Sequence, residues 1–201
     1  MGIAFVARLR LEEDRQDCND CFSMPTPVGH ALAGLATGWF AAAIMKKKDG
    51  PLTMACMAAA VAPDLDIPFG IHRTYTHSIG AACAAGAVAW LIARRRSHRP
   101  VAVAFTVVVA YSTHLLLDWL AKDSAEPYGL TVLWPFSSRF YISGVDLFLE
   151  VSRRYWKPEE FILGNLKAAT WESIVLAPVL ALAWWMRQRR FAKAGADTSH
   201  R

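Results

Sequence analysis

Apolar residues in this chain fall into long runs, each closed by a short charged cluster. From Pro27 to Met45 the run reaches the length that crosses a bilayer core, about 20 residues. It predicts a first spanning helix in which Gly29, Gly34 and Gly38 give a small-residue face for close contact. Lys46 to Lys48 close it. Pro51 to Ala62 is apolar for too few residues to span alone, so it predicts a short helix packed against protein. Ser78 to Ala93, stopped by Arg94 to Arg96, predicts a third helix, Val101 to Ala121 a fourth, and Thr170 to Met186 a last one before Arg187, Arg189 and Arg190. The intervening stretch Lys122 to Ala169 mixes polar and aromatic residues, with Trp134-Pro135, Arg139, Asp146 and the run R-R-Y-W-K-P-E-E, and reads as an extramembrane cap. The expected fold class is all-α: a polytopic membrane bundle of about five helices with a polar-aromatic cap.

Residues 1–23 match the body in neither composition nor pattern and lack the apolar core and cleavage site of a secretory signal. They are expected to be a dispensable leader that need not belong to the natural product, ahead of a domain over residues 24–193 and a disordered tail over 194–201. The 54% hydrophobic content exceeds the roughly 45–50% of soluble domains. A net charge of +5 would fit nucleic acid, but the basic residues sit in clusters directly after apolar runs. That is the pattern of cytoplasmic anchoring, and it argues against a phosphate-binding face. Of the four cysteines, Cys18 and Cys21 form an isolated C-x-x-C, a weak metal or redox signal, while Cys56 and Cys83 read as small buried residues. Trp134, Trp156, Trp171, Trp184 and Trp185 read as interfacial belts, and His98 and His200 as solvated.

The chemistry concentrates in A-P-D-L-D-I-P-F-G-I-H-R-T-Y-T-H-S, from Ala62 to Ser78. Carboxylates and imidazoles beside a membrane-grade run are costly to desolvate, and are kept for pairing, proton transfer or a bound cation. Pro63 and Pro68 predict that Asp64 and Asp66 stand on extended or turned rather than helical backbone. His114 and Asp118, four apart, share one helix face and read as a ligand pair or an ion pair. Placing the basic clusters in the cytoplasm brings His30, Asp64, Asp66, His77, His114, Asp118 and Glu172 to one non-cytoplasmic layer. Metal ligands are therefore expected at His30, Asp64, Asp66, His77, His114 and Asp118, and catalytic roles at Asp66, His72, Arg73 and Glu172. His72 and Arg73 suit binding of substrate oxyanions, with Arg139 as another candidate for neutralising charge. Glu172 is open between a ligand, a general base and a first-turn residue favoured by the helix dipole.

P-T-P-V-G-H, A-P-D-L-D, H-R-T-Y-T-H-S, S-T-H-L-L-L-D-W and L-W-P-F together resemble the YdjM-like membrane-bound metal-dependent hydrolases, over Met24 to Ser143 and the last helix. The resemblance implies an inner-membrane helical protein with a divalent-metal hydrolase site carried by His30, Asp64, Asp66, His72, His77, His114 and Asp118. The expected function is multi-pass membrane-bound hydrolysis of a lipid or phospho-ester by metal-activated water, with zinc the first choice of metal and manganese or iron the alternatives. Expected partners are membrane lipids and a small-molecule or lipid substrate, with no nucleic acid. The competing reading is a metal transporter or a metal-stabilised scaffold; the purely apolar stretches 41–44 and 84–92 disfavour transport.

Overall fold

The computed structural model describes residues 21–22, 24–46, 50–69, 73–124, 126–152 and 155–198. Thr26 caps the first helix, α1 (Pro27–Met45), its hydroxyl accepting from the Gly29 N–H at 3.2 Å, and Pro27 occupies the first turn, where its missing N–H costs nothing. The chain turns back through Lys46, in the left-handed region at φ 55°, into α2 (Gly50–Val61). The small-residue face of α1 then meets α2: a Cβ on Gly34 would lie 2.6 Å from the Cys56 carbonyl oxygen, and one on Gly38 would lie 2.7 Å from Thr53 Cα. Only glycine permits that backbone approach. Gly29 faces Glu172 on the last helix instead.

After α2 the backbone tightens into a 3₁₀ helix, Ala62–Phe69, where extended or turned chain was expected around Asp64 and Asp66. Pro63 fits because its fixed φ suits a first helical turn. At three residues per turn, two positions apart means about 120° apart around the axis. Asp64 and Asp66 therefore leave the segment in different directions, and Leu65 between them is exposed. Ser78 caps α3 (Ile79–Ala93) by accepting from the Ala81 N–H, and α4 (Pro100–Trp119) returns alongside it.

The last helix, α5 (Pro158–Thr198), is far longer than the expected Thr170–Met186. It takes residues 158–169 from the expected cap and residues 194–198 from the expected tail. Pro158 with Glu159 and Glu160 in the first turn is a helix-start signal, which outweighs the polarity that suggested a loop. α1 packs on α2, α4 and α5, and α4 packs on α2 and α3, so α1 and α4 form the centre of the bundle.

Among the described residues, three helices are long and apolar enough to cross a membrane, over Pro27–Met45, Pro100–Trp119 and Pro158–Ala192, and Ile79–Ala93 is a shorter apolar helix. Their outer faces expose Ile44, Val88, Ile92, Val101, Phe105, Ile174 and Leu182, a surface suited to lipid and not to water. Cys83, expected to be buried, is exposed on α3, whereas Cys56 is fully buried. In a membrane protein an apolar run marks lipid contact as readily as core.

The cap, in its described residues 120–124, 126–152 and 155–157, closes over one end of the bundle. Ile79 and Gly80 at the start of α3 donate to the carbonyls of Val132 and Trp134, and Thr131 binds the carbonyls of Arg73 and Thr74. Phe148 fills the core between Ala33, Leu117, Ala121 and Leu176. A two-residue strand, β1 (Cys21–Phe22), pairs antiparallel with β2 (Val151–Ser152) in the cap.

Candidate metal centre

Four segments deliver polar side chains to one buried point under the cap. His30 comes from the first turn of α1, Asp64 and Asp66 from the 3₁₀ helix, His77 from the residue before the α3 cap, and His114 with Asp118 from one face of α4. The three imidazoles are fully buried and the three carboxylates no more than 8% exposed. The expected layer thus exists for these six residues.

The imidazole orientations are fixed from behind. His114 Nδ1 lies 2.8 Å from the Ala60 carbonyl oxygen, which can only accept, so Nδ1 carries the proton and the Nε2 lone pair faces the centre. His77 Nδ1 lies 3.0 Å from Thr76 Oγ1 and 3.4 Å from Asp66 Oδ2, which turns its Nε2 inward as well. The two Nε2 atoms stand 3.1 Å apart. Asp118 Oδ2 lies 3.1 Å from His114 Nε2 and 3.5 Å from His77 Nε2, and Asp118 Oδ1 is 3.3 Å from His30 Nε2. Asp64 Oδ1 sits 3.5 Å from His114 Nε2, and the His30 ring stacks on that of His114 at 3.8 Å between centroids.

Both ring nitrogens of His30, both oxygens of Asp118 and Oδ1 of Asp64 are buried without a hydrogen-bond partner. Buried polar atoms are ordinarily satisfied, and orphaned anionic oxygens facing imidazole lone pairs describe a place for a cation. The electrostatics agree. Burial alone would lower the pKa of His77, yet the carboxylates of Asp64, Asp66 and Asp118 around it push it up to about 9. Beside that ring the carboxylates outweigh burial and favour positive charge. His30, Asp64 and His114 form one group with ligand atoms close enough to share an ion, and His77, His114 and Asp118 a second. The nitrogen and oxygen donors fit zinc and its neighbours in the first transition series.

The structure separates the remaining candidates. Asp66 stands behind His77, accepting from the Thr76 hydroxyl, in the position of an orienting carboxylate. Glu172 stays out of the cluster: its carboxylate accepts from the Thr26 N–H at 2.7 Å and from the Thr26 hydroxyl at 2.5 Å, tying α5 to the start of α1 next to His30. Arg73, in the left-handed region at φ 66°, gives its Nη1 to Asp123 at 3.0 Å and to the Pro127 carbonyl. It nevertheless lines a narrow gap shared with Asp118, Asp123 and Gly129. Arg139 is exposed in the cap, and His98 is exposed as expected. His72 lies outside the described residues, as do Cys18 and His200.

Sequence reasoning missed Thr76 and Tyr111. The Tyr111 hydroxyl donates to the Thr76 carbonyl at 2.6 Å, bracing the residue that holds Asp66 and His77. Tyr111 lies three residues before His114 and seven before Asp118, so helical spacing alone places it on the same face.

Comparison with curated proteins and with solved structures finds no match. The family model for YdjM inner membrane proteins matches residues 24–194, most of the chain and every residue of the cluster. The chain therefore belongs to the YdjM inner membrane protein family.

Proposed function

We propose that this protein is a membrane-bound, divalent-metal-dependent hydrolase acting on a lipid or phospho-ester. The observation that carries the reading is the convergence of three imidazoles and three carboxylates with orphaned anionic oxygens at their centre. His30, Asp64, His77, His114 and Asp118 would hold the ion, zinc before manganese or iron, and Asp66 would orient His77 from behind. A bound dication supplies Lewis-acid polarisation and water activation for ester hydrolysis. Arg73, which lines a narrow gap with Asp118, would meet an anionic ester group by exchanging Asp123 for it; His72, its neighbour in sequence, belongs to the same proposal. Glu172, tied to Thr26, serves this reading by fixing the start of α1 and not by proton transfer.

Lys46 and Arg94 to Arg96 follow the ends of α1 and α3, and Arg187 to Arg190 lie in the distal part of α5, opposite the cluster, which supports a multi-pass arrangement in the inner membrane with the centre toward the non-cytoplasmic face. The near-complete burial of the cluster also favours a second reading, a metal-stabilised scaffold that turns nothing over. Elemental analysis of the detergent-purified protein with a screen of phospho- and carboxy-esters separates the two. A hydrolase contains stoichiometric metal and cleaves an ester, and Asp118→Asn and His77→Ala lose both while the helices stay folded. A scaffold contains metal and cleaves nothing. A parent protein without metal, whose variants merely unfold earlier, would leave only a structural polar cluster.

A further inference from the structure

A second cavity lies outside the metal centre, on the cap-side half of α5. It measures about 370 Å³ and is lined by Leu149 of the cap and by Leu163, Leu166, Lys167, Thr170, Trp171 and Ile174 of the helix. That size suits a small ligand or one section of a larger one. Its walls are apolar apart from Thr170 and Lys167. Among the described residues no carboxylate pairs with Lys167, and its neighbours three and four positions away on the helix are Leu163, Gly164, Thr170 and Trp171, none of them acidic. Glu150, which follows Leu149 in sequence, meets the Lys122 ammonium at 3.9 Å through one oxygen and has no ion pair with Lys167. The cavity is therefore a greasy groove carrying one uncompensated cation.

The Glu172–Thr26 hydrogen bonds set residue 172 of α5 level with the first residues of the α1 candidate span, and we take that level as the edge of the hydrocarbon. Ile174 then lies at acyl-chain depth and Trp171 at the boundary, its Nε1 donating to the Leu147 carbonyl at 2.8 Å. Lys167 stands roughly 7 Å further out, at headgroup depth, at the 1.5 Å rise per residue of an α-helix. Apolar walls below, an indole at the boundary and a lone ammonium above match an amphiphile with an anionic head.

We propose that this groove is a specific site for one anionic phospholipid of the surrounding bilayer, its acyl chain along Leu166, Trp171 and Ile174 and its phosphate on Lys167. The site is independent of the metal centre and of the hydrolase reading. A single juxtamembrane lysine contributes enough to prefer an anionic over a zwitterionic head by about fivefold.

Native mass spectrometry of the full chain, equilibrated with phosphatidylglycerol or phosphatidylcholine of identical acyl chains, tests this. The expected result is one tightly retained lipid per chain, phosphatidylglycerol over phosphatidylcholine by about fivefold. Lys167→Gln should abolish the preference, and Leu166→Trp, which fills the groove, should abolish retention of both lipids; neither should change metal content. Equal retention of the two lipids, or a preference that survives Lys167→Gln, overturns the proposal. So does a disulfide-linked dimer formed through Thr170→Cys, which would show a second copy of the chain in the groove.

Discussion

The contact between α1 and α2 is expected to set the geometry of the His/Asp cluster from a distance, and Gly34→Ala tests how. A methyl at Gly34 would meet the Cys56 carbonyl oxygen at 2.6 Å, Met57 Cα at 2.7 Å and the Ala60 side chain at 2.9 Å, against about 3.4 Å for ordinary contact. Two of these obstacles are backbone, so no side chain can rotate away and the helices must part by roughly 0.8 Å. Overpacking of this kind costs about 1–3 kcal/mol, and the better helix propensity of alanine offsets about 1 kcal/mol of it. A net loss of up to about 2 kcal/mol is expected. The functional consequence comes through α2, because Ala60 lies on the displaced helix and its carbonyl sets the His114 tautomer at 2.8 Å, so that a shift of α2 against α4 weakens this hydrogen bond. Asp64, just past the end of α2, moves with it. Equilibrium unfolding in mixed micelles alongside metal titration provides the assay, with Gly50→Ala as the control, since a Cβ there meets nothing within 4 Å. Gly50→Ala should be neutral or stabilising and keep full metal affinity. If Gly34→Ala behaves like Gly50→Ala, the argument from close approach is wrong.

Three further outcomes are expected. Asp66→Asn should weaken metal binding by about 10–100-fold without abolishing it, as loss of an orienting carboxylate does, whereas Asp118→Asn should remove binding; equal losses in a metal titration would make Asp66 a direct ligand. Glu172→Ala leaves the Thr26 N–H and hydroxyl without their buried acceptor and should cost about 3–5 kcal/mol in unfolding free energy, with Glu172→Gln costing less; a change below 1 kcal/mol would show that the Thr26 clamp is not stabilising. An impermeant thiol probe on intact cells, with native cysteines replaced, should label a cysteine at Ser124 and miss one at Ser97; the reverse pattern would invert the orientation proposed from the basic clusters.

Much of this architecture is legible in the chain because two signals are local. Apolar run length and terminal punctuation give the five helices, and the four-residue spacing of His114 and Asp118 puts them on one face whatever surrounds them. The common layer of His30, Asp64, Asp66, His77, His114 and Asp118 also follows from the sequence, since helices that alternate in direction return every second end to the same side. Other features depend on contacts that no local pattern encodes. Cys83 and Cys56 sit in equally apolar runs, but one faces outward and the other faces α1, and hydropathy cannot distinguish lipid from protein interior. Glu172 and Asp66 have the chemistry of catalytic or ligating groups; only their neighbours commit the first to Thr26 and turn the second behind His77. Arg73 is likewise held by Asp123 through a pairing 50 residues apart. The sequence alone determined that the five apolar runs are helical and which side chains reach the cluster's depth, though not the full length of α5 or the 3₁₀ turn at Asp64, because rise per residue and periodicity are properties of the backbone. Tertiary structure alone decided which of those side chains face one another, because that depends on how each helix is rotated against its neighbours, and here glycines, caps and buried hydrogen bonds set the rotation.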